Sequence, residues 1–409
     1  MKKLLFTTLS LILGFSSVSA EEKMSLFIHS SNHQDLTPKQ EKVLEYIRSQ
    51  KMNSNVKTVE INARAFSAPS FLLNVSPNDS FSANTKSFDS VRETKQWLGG
   101  LADSPGSASF VIRGENVTGT IQNTDHMYSI KPIGGGLHAI IEQNPLNFPD
   151  EHPPEYDQQE KKAIEEVEQS PTKVNLIDGD NESSDTRLDR NIDEITVLVA
   201  YTTAVVNVVA DPQGLIELAV KETNESYANS NIAAKVTLVG SKKVNYSESG
   251  NFRTDLNRLS NKSDGVMDDI HSLRNSTKAD IVVLLINEGD YCGLADDIMA
   301  SEDSAFAVVF HECATGYYSF GHEIGHLQGA RHNREADSST SPFKYGHGYY
   351  LKNDHVRTVM SYDCQEGCRR LPYWSNPEVS YNGKAFGTKE KNNNSRVLVE
   401  TLPRVSRFR

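Results

Sequence analysis

The chain has 409 residues, long enough for two domains. Its 54 acidic against 42 basic side chains give a net charge of −12, which argues against nucleic acid as a partner. Only four cysteines occur, all in the last third, and beyond residue 20 no apolar run approaches the length of a membrane span.

Residues 1–20 read as a secretory signal. Lys2 and Lys3 form a basic start, Leu4 to Phe15 is apolar but too short to cross a bilayer, and Val18-Ser19-Ala20 offers small residues for cleavage. The mature protein is therefore expected to be secreted and extracellular. Residues 21–150 contain no cysteine. In residues 38–50, Val43, Leu44 and Ile47 fall on one helical face. Strand signals then dominate: Ser107 to Ile112, a turn at Gly114-Glu115-Asn116, alternating Val117, Gly119 and Ile121, then Met127 to Ile130 and Leu137 to Ile141. This predicts a β-meander. Between Asp150 and Arg190 there are 13 acidic and 5 basic residues, together with Pro153-Pro154 and Ser170-Pro171. Such a stretch reads as a solvated linker, and residues 151–190 are assigned as linker and activation segment.

Residues 191–409 alternate strands and helices. Ile195 to Ala200, Val236 to Val239, Ala279 to Ile286 and Ala305 to Phe310 are apolar strand candidates. Gly214 to Ser230 has near-helical apolar spacing, Asp264 to Arg274 reads as a helix capped by Asp264, and a final helix is expected near Ser395 to Leu402.

Residues 322–332 read His-Glu-Ile-Gly-His-Leu-Gln-Gly-Ala-Arg-His, the pattern HExxHxxGxxH. On a helix expected from about Gly316 to Gln328, His322 and His326 project from one face and can share a zinc ion. Glu323 stands beside the first ligand, placed to take a proton from water at the metal. Gly329 permits a sharp exit from the helix, which returns His332 as third ligand. An amphipathic helix with surface histidines would require neither the Glu nor the Gly nor the third His. Downstream stands Thr358-Val359-Met360-Ser361-Tyr362.

A three-His zinc motif followed by a methionine turn at Met360 resembles the metzincin metallopeptidases. Within that clan, residues 192–409 are similar to the reprolysin-like bacterial peptidyl-aspartate metalloendopeptidases. The resemblance is carried by Tyr291-Cys-Gly-Leu-Ala295, Ala305 to Tyr318, Ser319-Phe-Gly-His322, Tyr345-Gly-His-Gly-Tyr349, Arg357-Thr-Val-Met-Ser-Tyr362 and Tyr373-Trp-Ser-Asn-Pro377. It implies an α+β fold: a metzincin catalytic domain at 191–409, with a twisted mixed sheet, a zinc helix and an irregular lower subdomain, preceded by a mainly β propeptide domain at 21–150. The segments Gly119-Thr-Ile121, Tyr128-Ser-Ile130 and His138-Ala-Ile140 are similar to reprolysin-like propeptides. The resemblance further implies a zymogen that hydrolyses protein or peptide substrates with one catalytic zinc, with a preference for cutting before Asp, inhibited by its own propeptide. The chain departs from the family at Asn333, where Asp is usual. Tyr362, two residues after the methionine, is placed either to stabilise the oxyanion or to pack beneath the zinc. An acidic side chain beyond the cut requires a cation, for which Arg357, Arg369 and Arg370 are the candidates.

Cys292, Cys313, Cys364 and Cys368 read as two disulfides, most locally 292–313 and 364–368, among three connectivities. A second zinc site on Cys364 and Cys368 is the alternative. His311, His347 and His355 read as structural or exposed. Calcium binding is not legible in the sequence. Because residues 1–291 hold no cysteine, a thiol cannot silence the zinc; an Asp, Glu or His, or steric blockage, must. Asp178, Asp180, Asp185 and Asp189 crowd the junction, as self-cleavage sites for an Asp-directed enzyme, while Arg187 and Arg190 suit a trypsin-like one. The reading of another class is a zinc-binding, non-catalytic interaction protein.

Overall fold

A computed structural model describes residues 23–29, 36–76, 79–102, 104–153, 194–364 and 367–409. The expected signal at 1–20, and the junction with its aspartates and arginines, lie outside these residues.

The N-terminal part is one antiparallel sheet with a helix against it. Its strands are β1 (Phe27–Ile28), β2 (Asn53–Ile61), β3 (Ser70–Leu73), β4 (Phe81–Val91), β5 (Thr94–Leu101), β6 (Ser107–Arg113), β7 (Asn116–Gln122), β8 (Met127–Gly134) and β9 (Leu137–Gln143). They lie in the order β1-β2-β9-β8-β7-β6-β5-β4-β3. The expected meander forms β6 to β9, with Arg113 opposite Asn116 at the predicted turn. Helix α1 (Pro38–Ser49) starts in a capping box, Thr37 and Gln40 each bonding the other's backbone N–H, and it buries Val43, Leu44 and Ile47 as their spacing predicts. Trp97 is fully buried among Phe66, Phe71 and Phe110.

The second part is a mixed five-stranded sheet, in the order β11-β10-β12-β14-β13. Its strands are β10 (Glu194–Tyr201), β11 (Lys235–Lys243), β12 (Ile281–Ile286), β13 (Gly293–Ala295) and β14 (Phe306–Phe310). All pairs are parallel except β13 with β14, so the short β13 is an antiparallel edge. The helices are α2 (Thr203–Val208), α3 (Pro212–Asn229), α4 (Phe252–Ser260), α5 (Asp269–Thr277), α6 (Ser319–Gln328) and α7 (Asn394–Val405). Val197, Val199, Val283, Leu285, Ala307 and Val309 face a core shared with α3, α6 and α7. Leu198, Ala200, Val282, Leu284, Phe306 and Val308 face a second core shared with α4 and α5. Burial on both faces explains why these strands read as unbroken apolar runs.

Two helix starts differ from expectation. The helix expected from Asp264 begins at Asp269, because the Asp264 carboxylate accepts the N–H of Val266 and pairs with Arg258, making a local turn instead of a cap. The zinc helix begins at Ser319, not near Gly316, because Gly316 and Tyr318 take left-handed backbone (φ 70° and 65°). Both local disulfides, Cys292–Cys313 and Cys364–Cys368, are formed, which consumes the thiolates a second zinc site would need.

The N-terminal sheet docks on the second part through polar pairs. Thr120 donates to Glu222 (2.5 Å), Lys131 pairs with buried Glu312 (2.5 Å), Tyr46 bonds His311 (2.9 Å), and Arg113 pairs with Asp211. His311 and His347 are buried and hydrogen-bonded, as a structural role requires, while His355 is exposed and approaches Gly367 O.

His138 on β9 accepts the Val117 N–H at Nε2 (2.9 Å), and burial lowers its pKa to about 4. The folded value lies below the unfolded ~6.5. Its contribution to stability is therefore whole above pH 6.5 and shrinks as pH falls towards 4, by up to about 3 kcal/mol. Melting curves across that window should show the decline, and His138→Gln, which keeps an acceptor for Val117, should make it shallower, the remainder coming from groups such as His311, which burial also lowers to about 4.

Candidate active site

Helix α6 delivers the first two histidines. Every one of its residues is buried, and His322 and His326 stand about one turn apart. Gly329 ends the helix at φ 109°, with its N–H on His326 O and that of Ala330 on Gly325 O. The left-handed turn brings His332 back over the helix. The three Nε2 atoms lie 3.0 Å (322–326), 2.9 Å (326–332) and 3.3 Å (322–332) apart.

The far side of the rings explains this convergence. His322 Nδ1–H donates to Val359 O and His326 Nδ1–H to Ala330 O, both at 2.9 Å. A proton on Nδ1 leaves Nε2 with a bare lone pair. Burial holds all three histidines well below their ordinary pKa, in the neutral form that ligates metal. Neutral rings with their lone pairs turned together in a dry site fit a zinc ion.

The turn at Met360 supports the helix from beneath. Ser361 N–H closes on Thr358 O, Met360 is fully buried, and the same turn supplies the Val359 carbonyl to His322. A Cβ on Gly325 would lie 2.5 Å from the Trp374 ring and 3.0 Å from Met360 Sδ, so helix and turn touch directly. Asn333 ties this turn to the third ligand: its Oδ1 accepts the N–H of Tyr362 (2.9 Å), and its Nδ2 bonds Glu335. An amide oxygen thus makes the anchor where the family usually carries Asp.

Glu323 is fully buried beside the cluster, and its carboxyl is raised by burial. Gly293 on β13 makes room for it; a Cβ there would come within 2.3 Å of Glu323 Oε1. The Tyr362 ring lies 4.0 Å from the His332 ring, on the site.

The three arginines separate. Arg357 is a buried brace, donating to Cys368 O (2.8 Å), Ser361 O (2.5 Å) and the Tyr317 hydroxyl (3.0 Å). Arg369 lines a cavity between the two parts with Lys86, Gln122, Tyr373 and Tyr381. Arg370 lies over the Tyr317 ring, 4.5 Å from its centre, donates to Tyr317 O (2.8 Å), and forms a buried ion pair with Glu151 at 2.6 Å. Burial alone would raise the Glu151 carboxyl, but the Arg370 guanidinium holds it below its usual value.

Two residues of this site escaped the sequence reading. Glu151 and His152 open the acidic stretch expected to be solvated, yet they are only 5% and 6% exposed. His152 Nε2 lies 3.1 Å from Glu323 Oε1, and its Nδ1 2.8 Å from the Tyr362 hydroxyl. With His322, His326 and His332 it forms a buried group of four imidazoles able to hold one metal ion. A lone Glu-His pair before two prolines carries no spacing signal that marks it as part of a site 170 residues away in the chain.

Three converging imidazoles and a buried carboxylate define a zinc-dependent metalloendopeptidase. The description of metallo-peptidase family M12 matches residues 191–375. A peptidyl-Asp metalloendopeptidase of Stenotrophomonas maltophilia (strain K279a) is 43% identical over 312 residues, 75% of this chain and 72% of that one. One of Xanthomonas campestris pv. campestris is 38% identical over 382 residues, 90% of this chain and 88% of that one. One of Pseudomonas fragi is 42% identical over 189 residues, 46% of this chain and all of that one. The chain belongs with the peptidyl-Asp metalloendopeptidases, and this sets aside a non-catalytic zinc-binding role.

Asn333→Ala strands the Tyr362 N–H and loosens the turn that orients His322. The expected cost is about 1–3 kcal/mol in stability and about 10–100-fold in zinc affinity, read by melting and chelator competition. Asn333→Asp, which keeps an acceptor at that place, should preserve both.

Proposed function

We propose that the chain is a secreted zymogen whose residues 21–150 are the propeptide, and whose catalytic domain, from about 191, cleaves peptide bonds on the amino side of Asp with Glu323 as general base. The observation that carries the catalytic reading is the buried Glu323 carboxylate, seated against Gly293 beside the three histidines. Export is supported by the pattern of residues 1–20 and by two disulfides. Among the described residues no helix is long and apolar enough to cross a membrane.

His322, His326 and His332 would hold the zinc. When bound, it acts as a Lewis acid that polarises the scissile carbonyl and lowers the pKa of water towards ~7. Glu323 takes the proton of the attacking water and passes it to the departing nitrogen. Burial raises its carboxyl and so makes it a better proton acceptor. The Tyr362 hydroxyl, at the edge of the cluster, donates to the oxyanion as the tetrahedral carbon forms.

Arg370 is the cation that reads the substrate. It already holds one buried carboxylate, that of Glu151, beside the catalytic residues, while Arg357 is spent on backbone and Tyr317. The relatives are peptidyl-Asp metalloendopeptidases, which agrees with such a pocket. The aspartates at 178, 180, 185 and 189 then offer the enzyme its own maturation sites.

Glu323→Ala is expected to keep about one zinc per chain, to lose about 10²–10⁴-fold in kcat, and to remain unprocessed when purified alone. Normal cleavage by the zinc-loaded variant would sink the assignment. In the mature enzyme, Arg370→Ala should lower kcat/KM before Asp about 30-fold or more, with little change at other residues. A peptide library digested by both forms reads this directly, and an unchanged profile discards Arg370 as the reader.

A further inference from the structure

The stretch Phe148 to His152 enters the cleft as an added strand. Asp150 pairs in parallel with Tyr291, next to edge strand β13; Cys292 N–H donates to Asp150 O and Gly293 N–H to Glu151 O, both at 2.9 Å. Unpaired edges accept extended peptides in this way. Three side chains then fix the segment. The Phe148 ring stacks on Tyr317 at 4.3 Å with 4° between planes, Glu151 pairs with Arg370, and His152 reaches the histidine cluster. The His152 ring centre is 5.2, 5.1 and 4.9 Å from those of His322, His326 and His332. Its two nitrogens also face Glu323 and Tyr362, the residues given the proton transfer and the oxyanion.

We propose that His152 is the fourth protein ligand of the zinc in the precursor, a histidine latch that keeps the enzyme silent, with Glu151 on Arg370 standing in for the acidic side chain of a substrate. This rests on the zinc-peptidase reading above. Catalytic zinc sites keep one position open, whereas sites closed by four protein ligands are structural. His152 closes the position that water and the substrate carbonyl need, and it engages both polar residues around that position. One segment therefore blocks metal, base and specificity pocket together. The chemistry is ligand exchange alone: no covalent bond forms or breaks until the chain is cut, and then His152 leaves with its domain.

The test uses the full-length chain loaded with Co²⁺ in a Glu323→Gln background, so that it cannot process itself. Its visible spectrum should be that of a closed four-nitrogen site and should change when His152→Ala is added. His152→Ala should also release metal to a chelator at least about 10-fold faster. In the otherwise native chain, His152→Ala should speed maturation, and His152→Cys, which restores a ligand, should slow it again. Melting curves check that each variant is folded, and His126→Ala, a half-exposed histidine of the same domain, should alter nothing. If the spectrum and metal release are the same with and without His152, the latch is refuted while the peptidase reading stands. If neither precursor nor mature enzyme takes up Co²⁺, the zinc reading itself fails.

Discussion

Three buried imidazoles, those of His322, His326 and His332, converge with their Nε2 atoms 2.9 to 3.3 Å apart. The rest of the second part answers to that constraint. The Val359 and Ala330 carbonyls fix the tautomers of two rings, Gly329 reverses the chain so that the third arrives, and Met360 with Trp374 carries the helix from beneath. Asn333, next to His332, bonds the same turn through the Tyr362 N–H. Each support acts on an imidazole through its far nitrogen or its backbone, which is how outer partners set the basicity and aim of metal ligands.

Charge is arranged around this centre as carefully as shape. Arg370 is buried, which would be costly alone, and it is balanced by a carboxylate and stacked on Tyr317. That carboxylate comes from the N-terminal part. The ion pair thus ties the N-terminal part to the second part at the edge of the histidine cluster. Other cross-domain pairs, Thr120–Glu222 and Lys131–Glu312, share the docking load.

Edge strand β13 holds two neighbours at once. Its backbone N–H groups receive the Asp150–Glu151 segment, and Gly293 within it gives Glu323 its seat. A side chain at 293 would displace that carboxylate.

Much of this was determined by the sequence. HExxHxxGxxH brings three histidines together through helical periodicity and a glycine turn, both local properties; the apolar strand runs were legible in composition, and the structure selects the most local of the three disulfide connectivities the sequence left open. Local reading failed where a side chain had a nearer partner, as at Asp264, or where left-handed residues delayed a helix, as at Tyr318. Tertiary structure alone decided which arginine pairs with a buried carboxylate, and that a Glu-His pair at the head of an acidic stretch lies in the cleft. Arg357, Arg369 and Arg370 are chemically alike, and only their neighbours in space distinguish them. Glu151 and His152 meet α6 across 170 residues of chain, and no periodicity or spacing encodes a contact made by the docking of two parts of the fold.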